Sequence, residues 1–157
     1  MIELTRKTST PPPTDLRVTL TLDQRLRSRL KVVLDDGREA GIRLPRGTTL
    51  RDGDGLLTAD GLTVLVRAAP ERLSRVTVAD AVGLARACYH LGNRHVAVQI
   101  EPQRLSYLHD PVLDDLVRGL GLAVLAETGP FEPEAGAYGG HGHGHPKDPQ
   151  MNTDEHR

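Results

Sequence analysis

The sequence predicts an α+β chain: a small all-β unit, a ferredoxin-like βαββαβ unit, and a flexible His-rich tail. Three observations carry this. Up to about Ala69, short segments of alternating apolar and polar residues are separated by turn signals roughly every ten residues. After Pro70 the apolar period switches repeatedly between 2 and 3.6, in the order β-α-β-β-α-β. Beyond Gly129, Pro, Gly and His dominate and offer no material for a core. The expected division is 1–69, 70–129 and 130–157.

Pro11-Pro12-Pro13 reads as extended and solvated, so folding is expected to start after it. Leu16 to Leu22 alternates with period 2 as a half-buried strand does. Leu30–Leu34 and Ala40–Leu44 flank Asp36-Gly37, whose backbone freedom suits a tight hairpin, so these strands should pair antiparallel. Turn signals at Pro45-Arg46-Gly47, Asp52-Gly53-Asp54-Gly55 and Asp60-Gly61 lead to a further strand, Thr63–Val66.

In the second half, Leu73–Thr77 is a strand candidate and Thr77-Val78-Ala79-Asp80 resembles a helix capping box. A helix follows to Leu91, with Val78, Ala81, Val82, Ala85, Cys88 and Tyr89 on one apolar face and Gly92 as its stop. His95–Ile100 and Arg104–Leu108 read as strands. Asp110-Pro111 is a strong helix start, and Val112, Leu113, Leu116, Val117 and Leu120 form the expected buried stripe, with Asp114 and Arg118 paired outside. Gly119 and Gly121 end that helix before a last strand, Leu122–Ala126.

Chemistry is concentrated in the histidines. Three of the seven fall at His90, His95 and His109, and three more alternate with glycine as His141, His143 and His145. Neutral imidazole dominates near pH 7 and is the commonest side-chain metal ligand, so the pattern points to binding and delivery of a divalent transition metal. A Gly-interleaved His triplet has little packing purpose. The single Cys88 excludes an internal disulfide and an all-thiolate site within one chain, leaving nitrogen and oxygen ligands. Cys88 itself reads as a small core residue.

Composition narrows the function classes. A formal net charge of -1 gives no reason to expect nucleic acid or anionic membrane as partner. The longest apolar runs fall far short of a membrane span, and Met1-Ile2-Glu3-Leu4 lacks the features of a signal peptide, so a cytoplasmic location is expected. The sequence has no H-E-x-x-H helix, no G-x-S-x-G elbow and no phosphate loop, and the chain is not expected to be an enzyme. Arg25, Arg27, Arg29 and Lys31 recur with period 2, which in a strand would make one basic face for an acidic partner.

Three motifs carry a resemblance: His90-Leu91-Gly92-Asn93-Arg94-His95, the run from Tyr107-Leu108-His109-Asp110-Pro111 to Asp115, and Pro130-Phe131-Glu132-Pro133-Glu134 continuing to Tyr138. In these, and in Asp35 to Glu39 and Leu44 to Thr48, the chain resembles the UreE family of urease accessory proteins, which are nickel metallochaperones. The resemblance implies a peptide-binding-type β domain, a ferredoxin-like metal-binding domain and a homodimer. It also implies Ni²⁺ as cargo, with Zn²⁺, Cu²⁺ or Co²⁺ able to compete, and as partners urease and its other accessory proteins, including a GTPase. His95 corresponds to the family's interface histidine, shared by two chains, and His90 and His109 to accessory positions. Pro111 stands where some relatives carry a further histidine. The rival expectation is a protein-interaction module in which the histidines are incidental.

Overall fold

The computed structural model of the chain describes residues 1–136. The fold is α+β. Eleven strands form three sheets, with three helices among the described residues.

The first half builds one core from two sheets. One sheet has the order β1-β5-β4, from Ile2–Leu4, Glu39–Arg43 and Arg29–Val33. The other has the order β2-β6-β7-β3, from Arg6–Thr8, Gly55–Leu57, Thr63–Ala68 and Arg17–Leu20. The hairpin expected at Asp36-Gly37 joins β4 to β5 antiparallel, with Gly37 at φ 92°. Inward residues of both sheets, among them Leu4, Val18, Ile42, Leu56 and Val64, share one cluster at 0 % exposure.

Two expectations for this half are corrected. Folding starts before the proline run: β1 pairs parallel with β5 and β2 antiparallel with β6, which places Leu4 in the core. These strands are three residues long, too short for their alternation to stand out in the sequence. The Arg25–Lys31 stripe is also broken. Arg25 belongs to the one-turn helix α1, Leu22–Arg25, capped by Thr21 and Gln24 in a reciprocal capping box. Its side chain is buried, whereas Arg29 and Lys31 are exposed.

The second half is a four-stranded antiparallel sheet of order β11-β8-β10-β9, from Val124–Pro130, Pro70–Thr77, Arg104–Leu108 and Gln99–Glu101. Helices α2, Ala81–Asn93, and α3, Pro111–Gly119, complete the split βαβ arrangement. Asp110 caps α3 as expected, accepting from Val112 N–H at 2.9 Å. For α2 the cap is Asp80, which accepts from Gly83 N–H at 2.6 Å, so the helix starts later than the Thr77 box implies.

The inner face of α2 differs from the expected one. Leu84, Ala87, Cys88 and Leu91 pack on the second core, whereas Val82 and Tyr89 are 66 % and 69 % exposed. With a single charged side chain in the helix interior, Arg86, both faces are apolar enough to read as the buried one. In α3, Val112 is exposed and Asp114 is buried, the reverse of expectation, and Arg118 pairs with Asp115 at 3.4 Å instead of Asp114.

The chain beyond Gly129 also enters the core. Phe131 is fully buried with Leu22 and Leu73, between the two halves. Arg25 reaches this segment, donating from Nη1 to Glu132 Oε1 at 2.6 Å and from Nη2 to Phe131 O at 2.5 Å. Burial pulls the Arg25 guanidinium below its ordinary value, and Glu132 opposes that pull. Glu132 also accepts from Asp52 N–H at 2.9 Å and pairs with Arg51 at 3.2 Å. The strap formed by residues 131–134 therefore ties both halves together. The tail histidines His141, His143 and His145 lie outside the described residues.

Candidate metal centre

The topology gathers the histidine-bearing segments at one end of the second sheet. β10 runs antiparallel to β8 and finishes with Leu108 opposite Leu73, delivering His109 near the start of β8. β11 also runs antiparallel to β8 and finishes with Pro130 opposite Pro70, delivering the strap to the same end. α2 follows β8 and returns, so its last turn, with His90, and the nearby His95 come back to that end too.

His95 does not begin a strand, as its apolar-rich sequel implied. The helix continues through Gly92 to Asn93, and His95 then takes φ 58°. Its N–H donates to Gly92 O at 3.0 Å and the Val96 N–H donates to Leu91 O at 3.2 Å. These two bonds are a Schellman closure in which His95 occupies the left-handed position that glycine usually fills. Leu91 and the half-buried Val96 anchor the turn in the core, and the imidazole-bearing residue stands exposed. A left-handed conformation costs a residue with Cβ about 1 kcal/mol, and such strain is characteristic of functional positions.

His109 is held differently. Its backbone N–H donates to Arg72 O at 3.0 Å. Its Nδ1 lies 3.2 Å from Ser74 Oγ and 3.4 Å from Asp114 Oδ2. The other oxygen of Asp114 accepts from the buried Tyr107 hydroxyl at 2.6 Å. Burial alone would raise the Asp114 carboxyl, but hydrogen bonds from Ser74 and Tyr107, with His109 and Arg118 nearby, leave it below its ordinary value. Burial and the same contact push the Tyr107 hydroxyl well up. An ionised Asp114 can only accept, so the network assigns the imidazole proton to Nδ1 and leaves the Nε2 lone pair available to ligate.

His90, half-buried in the last turn of α2, meets Tyr89 edge-on with ring centroids 5.3 Å apart. Cys88 faces the core, and burial raises its thiol above the ordinary value, which disfavours the ligating thiolate. Among the described residues, no group of three or more His, Cys, Asp or Glu is placed to hold a metal ion. The arrangement is one of separate candidate ligands around a common end.

Sequence reasoning missed Ser74, Asp114 and the strap contacts of Gln99 and Glu132. The strap bonds directly to the segment after His95: Glu132 N–H donates to Gln99 Oε1 at 2.9 Å and Glu134 N–H to Val98 O at 2.8 Å. Asp114 had a signal, since it lies three residues before Val117 on the flank of the apolar stripe.

The family model described as "UreE urease accessory protein, N-terminal domain" matches residues 2–69, and its C-terminal counterpart matches residues 71–157. A urease accessory protein UreE of Pseudomonas putida (strain GB-1) is 57% identical over 148 residues, covering 92% of this chain and 90% of that protein. The UreE of Alkalilimnicola ehrlichii is 54% identical over 140 residues, 89% of this chain and 86% of its own. That of Escherichia coli O157:H7 (strain EC4115 / EHEC) is 53% identical over 149 residues, 94% and 97% of the two.

Two outcomes follow from the site geometry. In urea denaturation without metal, His95→Gly should be at least as stable as the parent, whereas His95→Val should lose about 1–2 kcal/mol because a β-branched side chain resists a positive φ. Both remove the imidazole, so equal stabilities would contradict a backbone constraint here. The lowered Asp114 carboxyl stabilises the fold above the unfolded-state value, about 3.9, and that contribution is lost as pH falls through the lower folded value. Asp114→Asn should therefore cost about 1–2 kcal/mol at pH 7, with the gap to the parent narrowing below about pH 4. A gap unchanged with pH would contradict an ionised Asp114. In both halves and over nearly its whole length, this chain belongs to the UreE family of urease accessory proteins.

Proposed function

We propose that the chain acts in urease maturation as a nickel-binding metallochaperone, not as an enzyme, with one Ni²⁺ shared between the His95 residues of two chains. The observation that carries this reading is the exposed left-handed turn at His95, at the same end of the sheet as the root of the C-terminal tail. Glu134 is bonded to Val98, three residues after His95, and His141 follows Glu134 by seven residues. That length of chain spans at most about 25 Å, enough for His141, His143 and His145 to reach the metal. Two imidazoles leave a six-coordinate ion incomplete, and water with these tail ligands supplies the rest. An incomplete, exchangeable shell suits a donor.

The outward stripe Val82, Ala85 and Tyr89 leads along α2 toward the His95 turn and supports self-association as a homodimer. His109, with its Nε2 available, and His90 serve as auxiliary ligands at the same end. Urease and its other accessory proteins, including a GTPase, are the recipients and partners in this reading, in the cytoplasm. No helix among the described residues is long and apolar enough to cross a membrane. The division into units 1–69, 70–129 and a tail 130–157 belongs to the same proposal, with the tail's first residues serving as the strap. Nitrogen ligands follow the general order in which Cu²⁺ binds more tightly than Ni²⁺ and Co²⁺ less, with Zn²⁺ also competing, so selectivity rests on metal supply and on the recipient.

Equilibrium dialysis with nickel tests the reading on the intact chain, a His95→Ala variant and a chain ending at Gly140. The tight site should disappear in the variant, stoichiometry should fall in the shortened chain, and intact-chain binding should weaken as pH drops below about 6.5. Equal binding by all three proteins would favour an interaction module with incidental histidines.

A further inference from the structure

The β1-β5-β4 sheet ends in an open strand whose chemistry the metal site does not use. Leu34 N–H donates to Arg38 O, and Leu44 N–H to Ser28 O, each at 2.8 Å, so even-numbered residues of β4 face β5. The backbone N–H and C=O groups of Arg29, Lys31 and Val33 consequently point away from β5. Asp35, next in that series, already bonds outward, to Arg17 O at 2.9 Å. No strand pairs with β4 on that side among the described residues.

The same three residues present their side chains to solvent, with Val33 60 % exposed, while Leu30 and Val32 point into the core. Arg29 stands opposite Arg43 in a non-hydrogen-bonded pair, where side chains approach closely and like charges repel. Arg43 has Glu3 at 3.3 Å, but Arg29, Lys31 and Arg46 have no carboxylate partner among the described residues. Arg46 and Arg29 line one surface groove together with Leu26, Arg27 and Pro45. Beyond the basic end, exposed Val33 and Met1 border a second hollow beside Lys31.

We propose that this edge receives an extended, acidic segment of a partner polypeptide as an added strand. Main-chain bonds form to Arg29, Lys31 and Val33, carboxylates meet Arg29, Lys31 and Arg46, and an apolar residue covers Val33. Unpaired N–H and C=O groups in strand register fit a peptide backbone, which a phosphodiester chain cannot supply, and the net charge of -1 gives nucleic acid no general attraction. The inference does not depend on the metal reading.

The test is fluorescence anisotropy on the full chain with a labelled octapeptide carrying Glu, Glu and Val at successive alternate positions, with Thr between them, so that all three share one face of the added strand. Saturable, salt-sensitive binding is expected, weaker by about tenfold or more in Arg29→Glu and lost in Lys31→Pro, which removes an outward N–H without touching the β4–β5 bonds. A peptide N-methylated on alternate amides tests the same bonds on the unaltered protein and should fail to bind. Far-UV circular dichroism of each variant reports its fold. Absence of saturable binding would leave the charges as a guard against edge-to-edge association and overturn the proposal. So would equal binding of the N-methylated peptide, of the same octapeptide with Lys in place of Glu, or of a single-stranded oligonucleotide.

Discussion

The bond from Val96 N–H to Leu91 O, closing α2 through a left-handed residue, is the constraint on which the rest of the molecule depends. It reverses the chain within a few residues while Leu91 and Val96 stay rooted in the core, and the residue at the apex is exposed. Glycine would make this turn without strain. A histidine there accepts about 1 kcal/mol of conformational cost. The following segment, Val98 and Gln99, then receives the strap from the C-terminal end of the sheet. One local backbone feature thereby fixes both the candidate ligand and the point from which the tail departs.

His95 and His109 illustrate two ways of presenting an imidazole. His109 is oriented by side chains: Asp114 and Ser74 select its tautomer, and Tyr107 stiffens Asp114 from behind. His95 is oriented by its own backbone. In the proposed carrier this difference has a use, because a ligand shared between two chains gains from exposure, while a solitary ligand gains from a ring already held in its ligating orientation. Neither completes a coordination shell, which suits the release step of the proposed carrier.

Where local pattern and tertiary demand coincide, the sequence is readable. The hairpin at Asp36-Gly37, the Asp110-Pro111 helix start and the β-α-β-β-α-β order all follow from turn chemistry and period. The inner face of α2 was not legible, because its alanines and Tyr89 make the outer face as apolar as the inner one; what buries one face is the position of the sheet. Arg25 reads as a surface cation until its partners, Glu132 and Phe131, arrive from more than a hundred residues away. The left-handed turn at His95 was hidden because Gly92 offered an earlier and less strained stop. Of the candidate site, the histidines were visible as residue types, but their holders Ser74, Asp114 and Gln99 became apparent only through long-range contacts.

The central claim is one nickel ion held between two copies of this chain. Native mass spectrometry of the full-length protein during stepwise addition of nickel addresses it most directly. The account predicts that the first metal-loaded species contains two chains and one nickel ion; a first species of one chain carrying one nickel ion would contradict it.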